Sequence, residues 1–171
     1  MAVWRAFCYP PAMNVDQILD TMNRYEVEYL LIGGMNFLLR HEPVLTYDVD
    51  LWIDDTKKNR ESCEKALREL HAEWGSSDDE WKPVTEFSQG WLKSQPVFCL
   101  TSPHGAIDIF RRLDGPKNWK DAANSAILEK TKSGIPYRGL SDEDMLKCQL
   151  ALGAKDQKPD RIQKLSKAIA K

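Results

Sequence analysis

Three aspartates occur at spacings that could hold a divalent metal ion. Asp48 and Asp50 are separated by one residue inside the apolar run 46–53, and Asp108 lies inside the apolar run 106–110. Side chains alternate along a strand, so the first two carboxylates share a face, with Cα atoms about 6.5–7 Å apart. That separation can bracket metal ions about 3.5–4 Å apart, and oxygen ligands suit Mg²⁺ or Mn²⁺. We predict that Asp48, Asp50 and Asp108 hold such ions, provided that the two strands are neighbours.

A plainer interpretation of the same aspartates is available. Paired acidic residues near strand ends are often solvated or cap a following helix. Asp48 and Asp50, however, lie within the apolar run and not after it. Burying unpaired carboxylates is costly, and a bound cation would offset that cost. The pattern therefore favours a metal site.

Gly33 and Gly34 follow the apolar run 27–32 and precede a short helical pattern, 35–40. Glycine has no Cβ, so a phosphate could approach the backbone N–H groups at the start of that helix. A tight turn that needs one glycine with positive φ would use the same residues. We predict that Gly33 and Gly34 bind a phosphate group.

The elements that would position these groups follow from apolar periodicity and capping signals. Predicted strands are 27–32, 46–53, 97–101, 106–110 and 135–138, and predicted helices are 15–24, 35–40, 57–74, 119–126, 142–155 and 159–170. The segment 75–90 is predicted as a loop. This order indicates an α/β (α+β) fold, a small mixed β-sheet flanked by helices. We assign 1–13 as a poorly ordered leader, 14–115 as the core and 116–171 as a C-terminal helical extension packed on the core.

Composition limits the class of protein. The chain has 171 residues, of which 42% are hydrophobic and 29% charged, as in ordinary globular domains. No apolar run is long enough to span a bilayer, and the start of the chain lacks an export signal. The four cysteines are not at metal-ligand spacing. We therefore expect a cytoplasmic protein that does not bind membranes.

Three segments together resemble the nucleotidyltransferase superfamily related to DNA polymerase beta. They are Leu30–Phe37 with the double glycine, Thr46–Ile53 with the Asp-x-Asp pair, and Gly105–Phe110. The likeness extends over roughly residues 14–165 and is greatest to minimal prokaryotic members near the AbiEii/AbiGii toxin group. Lys147, followed by the pair Lys155-Asp156 and then Asp160, is similar to a late family motif.

The resemblance implies a metal-dependent enzyme that transfers a nucleoside monophosphate (NMP) from a nucleoside triphosphate (NTP) to a hydroxyl group. Lys147 and Lys155 would contact the nucleotide phosphates, and Asp108 would help to activate the acceptor. The acceptor would be tRNA, a protein or a small molecule, and the protein could be a toxin with an antitoxin partner. Val44 and Ala154 stand where related sequences often carry arginine.

Charge is unevenly distributed along the chain. Residues 111–171 hold 14 Lys and Arg against eight Asp and Glu, whereas residues 1–110 hold 10 against 18. Either a polyanionic acceptor such as tRNA or a solvated helix face would account for the basic half. The basic residues that could line the cleft are Arg111, Arg112, Lys117, Lys120, Lys155, Lys158, Arg161 and Lys164.

Two further functions fit the same residues. One is a catalytically weak nucleotide-binding partner or sensor with the same fold, and the other is a structural domain that binds no nucleotide. The last leaves the three inward-facing aspartates unexplained. Turnover with metal and NTP would distinguish the enzyme from the sensor.

Overall fold

The computed structural model describes residues 13–77 and 80–171. The predicted leader therefore lies almost entirely outside the described residues. Within them, the α-helices are α1 (Val15–Arg24), α2 (Gly33–Arg40), α3 (Lys57–Glu69), α4 (Trp119–Ser125), α5 (Asp142–Ala151) and α6 (Pro159–Ile169). Every helix in these ranges is too short or too polar to cross a bilayer.

Eight described strands form two sheets. They are β1 (Tyr29–Ile32), β2 (Asp48–Ile53), β3 (Glu73–Trp74), β4 (Lys82–Pro83), β5 (Val97–Leu100), β6 (Ala106–Phe110), β7 (Ile127–Lys130) and β8 (Pro136–Gly139). The main sheet has the order β5-β6-β2-β1-β8-β7, and β3 pairs with β4 separately. β2 is antiparallel to β1 and parallel to β6, and β1 is parallel to β8. This mixed sheet with flanking helices confirms the predicted fold class.

The main sheet is buried on both faces because its central strands are apolar at nearly every position. Val49, Leu51 and Ile53 point into one core, which also contains residues of α1 and α3. Trp52 points into a second core that includes residues of α4, α5 and α6. Since side chains alternate, Asp48 and Asp50 share the face of Trp52, on the side of the C-terminal helices.

Capping side chains define several helix starts as the sequence predicts. Asn14 accepts a hydrogen bond from the Gln17 N–H, Thr56 accepts one from Asn59, and Ser141 accepts one from Asp144. α2 differs, because Ile32 precedes it and supplies no side-chain hydrogen bond. The first N–H groups of α2 therefore lack a side-chain cap.

Several predicted boundaries are wrong. α3 ends at Glu69 and not near Trp74, because the chain turns at His71, which has a φ of 52°, and then enters β3. α5 ends at Ala151 and not near residue 155, and β2 begins at Asp48. α2 begins at Gly33, two residues before its predicted start. The predicted loop 75–90 contains β4 and a 3-10 helix, Val84–Glu86.

The region assigned as a helical extension also contributes to the sheet. Ile127–Lys130 and Pro136–Gly139 form β7 and β8, and Leu31 of β1 pairs with Gly139. β8 overlaps the extended segment predicted at 135–138 and lies beside β1, whereas β7 was not predicted. The boundary between residues 115 and 116 stays a prediction.

Candidate metal centre and cleft

The three aspartates converge because β2 and β6 are neighbours. Asp50 lies directly opposite Asp108 in the parallel ladder, and Asp48 lies on the same face two residues earlier. One carboxylate oxygen from each of the three lies within 4.8 Å of the other two. The prediction that they share one site is confirmed. Their catalytic role stays a prediction.

The carboxylates are poorly neutralised by the protein itself. Burial and the charges of Asp48 and Asp108 raise the pKa of Asp50 to about 8, and the more distant charge of Arg161 opposes this only partly. Burial and the charge of Asp48 raise the pKa of Asp108 to about 6. Throughout 13–77 and 80–171, no Lys or Arg forms an ion pair with any of the three aspartates.

One oxygen of the cluster has no partner. Asp50 Oδ1 is buried and accepts no hydrogen bond from any residue that the structure describes. A buried acceptor without a partner costs free energy, more so when it is charged. Three converging carboxylates with an unpartnered oxygen fit a divalent cation that prefers oxygen ligands, such as Mg²⁺ or Mn²⁺. These aspartates could hold a metal ion.

The double glycine lies directly against this cluster. Gly33 has a φ of +67°, and a Cβ at this position would collide with Asp50 Oδ2. A Cβ at Gly34 would lie 3.0 Å from Thr46 Oγ1 and 3.1 Å from Arg161 Nη2. The turn interpretation holds for Gly33, which has a positive φ, and both glycines allow side chains of this chain to approach closely. Their role as phosphate ligands stays a prediction.

Asp48, Asp50 and the two glycines line a cleft of about 650 Å³, within the roughly 300–1,000 Å³ of typical small-molecule sites. Its other polar lining includes Thr46, Arg112, Asp114, Asp156, Lys158 and Arg161. Its apolar lining includes Phe37, Leu140, Met145, Cys148, Leu152 and Leu165. The cleft therefore combines carboxylates, cationic side chains and apolar residues.

The two lysines predicted as nucleotide ligands lie elsewhere. Lys147 Nζ forms an ion pair with Asp144 Oδ1 at 2.8 Å, and Lys155 is exposed after α5. Neither lines the cleft. Val44 packs against the second core, and Ala154 is exposed. The assignment of Lys147 and Lys155 to the nucleotide stays a prediction.

Arg112, Lys158 and Arg161 are the members of the predicted basic set that do line the cleft. Arg111 binds Asp55, and Lys164 binds Glu42. The excess of positive charge after residue 110 was the sequence signal for these three cleft residues. It could not select Arg161, whose position depends on how α6 packs against α2.

Comparisons with known proteins found few relatives. No family model matches the chain, and a search of curated proteins gave no match. Among solved structures, the chain is similar to a Thermotoga maritima protein provisionally named a nucleotidyltransferase. The TM-score is 0.47 and the identity 17%, with 90% of this chain and 87% of that chain covered.

Proposed function

We propose that this protein is a metal-dependent nucleotidyltransferase that moves an NMP from an NTP to a hydroxyl acceptor. The observation that carries the proposal is the convergence of Asp48, Asp50 and Asp108 around an unpartnered buried oxygen. The cluster lies beside the uncapped start of α2 in a cleft large enough for a nucleotide. Carboxylates next to a phosphate-accessible helix N-terminus suit phosphoryl chemistry better than a structural role.

The residues of the site fall into two groups, one that would hold the metal and one that would bind the phosphates. The carboxylates of Asp48, Asp50 and Asp108 would hold the metal, which neutralises charge on the phosphates when it is bound. The N–H groups of Gly33 and Gly34 donate hydrogen bonds to phosphate oxygens, because these residues leave no Cβ in the way.

The chemistry balances with a single displacement. The acceptor oxygen forms a bond to the α-phosphorus as the bond from that phosphorus to the bridging oxygen breaks. The electron pair of the broken bond leaves with pyrophosphate. The acceptor proton passes to the Asp108 carboxylate, which belongs to the same cluster as Asp48 and Asp50.

The acceptor is best sought among anions. Arg112, Lys158 and Arg161 line one wall of the cleft, which supports an acceptor with phosphates such as tRNA. A protein or a small hydroxylated molecule is the other candidate class. Action as a toxin, neutralised by an antitoxin, belongs to the same proposal and rests on the resemblance of the motifs alone.

Label transfer tests the proposal. The protein is incubated with each NTP, labelled at either the α- or the γ-phosphate, together with total tRNA, cell extract and either Mg²⁺, Mn²⁺ or a chelator. We expect α-label in the acceptor, release of pyrophosphate, and loss of both with the chelator. Asp48→Asn should abolish transfer, whereas the matched control Asp54→Asn, at the end of the same strand and outside the cluster, should retain it.

Other outcomes identify other functions. Label from the γ-phosphate in the acceptor would indicate a kinase. Nucleotide binding without any transfer would indicate the sensor module. Full transfer by Asp48→Asn would refute the metal site.

A further inference from the structure

Within residues 13–77 and 80–171, Arg161 has no anionic partner, as is also true of Arg68 and Arg112, whereas the other five arginines have one. Its partly buried guanidinium forms no ion pair with any residue in the described ranges. Burial lowers the pKa of Arg161, which indicates a desolvated cation. A carboxylate oxygen lies within 3.3 Å of each of Arg24, Arg40, Arg60, Arg111 and Arg138. The donors of Arg161 therefore remain for a ligand in the cleft.

The Arg161 guanidinium packs against the Phe37 ring. Arg161 Cζ lies 5.6 Å from the centroid of the Phe37 ring on α2, a cation–π geometry. Phe37 is itself buried in the second core. Because the ring is buried, it limits the orientations of the planar guanidinium, which lines the cleft.

The double glycine lies next to both Arg161 and the three-aspartate cluster. A Cβ at Gly33 would meet the carboxylate of Asp50, and a Cβ at Gly34 would meet Nη2 of Arg161. Two successive backbone positions thus lie against the carboxylates and against the guanidinium. A ligand phosphate bound near the start of α2 would therefore lie close to both the aspartates and Arg161.

Arg161 is poorly placed to serve as the internal partner of Asp50. Its charge lowers the pKa of Asp50, but as the smallest of the named influences. The two side chains form no ion pair, and Asp50 Oδ1 keeps no hydrogen-bond partner. The Arg161 guanidinium therefore does not neutralise Asp50 through a direct ion pair.

We propose that Arg161 binds the β- and γ-phosphates of the NTP and holds the pyrophosphate as it leaves. The inference rests on the proposed function and deepens it. When the bond from the α-phosphorus to the bridging oxygen breaks, the electron pair and the negative charge go to the pyrophosphate. The five N–H donors of a guanidinium can neutralise that charge through paired hydrogen bonds, which an ammonium group cannot reproduce.

Phosphate-length dependence tests this role. Affinities are measured by calorimetry, in the presence of Mg²⁺, for inorganic triphosphate, NTP, NDP and NMP, using the native chain, Arg161→Gln and Arg161→Lys. We expect Arg161→Gln to weaken triphosphate and NTP binding roughly 10- to 100-fold while NMP binding changes less than about twofold. Arg161→Lys should fall between the two, because it keeps charge without the planar fork.

Lys164→Gln is the matched control. Lys164 lies on the same helix but binds Glu42 outside the cleft, so all four affinities should stay unchanged. If Arg161→Gln does not fold, as judged by its thermal transition, Arg161→Lys carries the test with the same expected order of ligands.

The outcomes separate the two proposals. Equal losses for NMP and NTP, no loss in either Arg161 variant, or no binding of triphosphate by the native chain would overturn the role of Arg161. Length-dependent binding that requires Arg161, without any α-label transfer, would support the phosphate site and refute the nucleotidyltransferase reaction.

Discussion

Two carboxylate environments lie close together along β2. Asp55, which follows the strand, is paired with arginines, whereas Asp50, within the strand, lies beside other carboxylates. Asp55, just after β2, accepts hydrogen bonds from Arg60 Nη1 at 2.6 Å and from Arg111 Nε at 2.8 Å. Burial raises the pKa of Asp55, but these hydrogen bonds outweigh it and lower the pKa. Five residues earlier, burial and two neighbouring carboxylates raise the pKa of Asp50.

The difference shows which charges the fold neutralises and which it leaves to a ligand. Arginines on α3 and directly after β6 were available to balance Asp55. Asp50, within β2, lies instead beside two further carboxylates, and its Oδ1 has no hydrogen-bond partner among the described residues. Local conflict of this kind, inside an otherwise consistent fold, is typical of functional sites.

The largest expected effect comes from replacing Asp50, and the replacement of Asp55 serves as the comparison. Asp50→Asn should reduce α-label transfer by at least about 100-fold, since second-shell changes alone cost 10- to 100-fold. The same variant should keep or raise the thermal midpoint of the metal-free protein, because it removes like-charge repulsion.

Asp55→Asn should do the opposite. Its transfer rate should stay within about threefold of the native value, and its free energy of unfolding should fall by about 1 kcal/mol, a modest figure because the pair is partly solvent-screened. Label transfer and urea denaturation measure the two effects. Equal losses of transfer in both variants would show that the two ends do not differ in function.

The sequence predicted the metal cluster well because a two-residue period fixes the face of a strand. That period places Asp48 and Asp50 on one face of β2. The position of Asp108 beside them also requires that β2 and β6 be neighbours, which the sequence analysis assumed. Helix starts with side-chain caps, such as those at Asn14 and Thr56, were predicted for the same local reason. Local pattern is sufficient where one residue and its near neighbours determine the geometry.

Features that depend on distant packing could not be predicted in this way. No local pattern indicates that β8 pairs with β1, or that Arg161 contacts the start of α2. The turn at His71 was missed because a positive φ is uncommon for any residue other than glycine.

A smaller effect is expected from adding one methyl group beside Asp50. Gly33→Ala places a Cβ against the Asp50 carboxylate, which must then move away from the other two. Transfer should fall roughly 10-fold or more, since small misplacements of reacting groups cost up to about 100-fold. Stability should fall by about 1–2 kcal/mol, the cost of a left-handed backbone for a residue with a Cβ.

Gly134→Ala is the matched control for that backbone cost. Gly134 also has a positive φ, +89°, but a Cβ there would meet nothing within 4 Å. We expect a similar loss of stability and no loss of transfer. Should both variants transfer equally well, the close approach of Gly33 to Asp50 would have no functional meaning.

The smallest expected effect is a pH dependence of stability without metal. An unfolded Asp has a pKa of about 4, whereas burial and neighbouring carboxylates hold the pKa values of Asp50 and Asp108 at about 8 and about 6. Between these limits the folded chain retains protons that the unfolded chain has lost. The contribution of these groups to the free energy of unfolding should therefore fall as pH rises from about 4 towards 8.

Urea denaturation in the presence of a chelator, at pH values from 5 to 8, measures this slope, and Asp50→Asn isolates it by difference. The thiol of Cys99, also beside Asp108, does not titrate in this window because burial raises its pKa to about 11. Mg²⁺ should reverse the trend, since metal binding requires ionised carboxylates and adds about 2.7 kcal/mol at 100 times its dissociation constant. Stabilisation by Mg²⁺ should thus be greater at pH 8 than at pH 6. If Asp50→Asn and the native chain respond identically to pH and to Mg²⁺, Asp50 is neither the perturbed carboxylate nor a ligand of the ion.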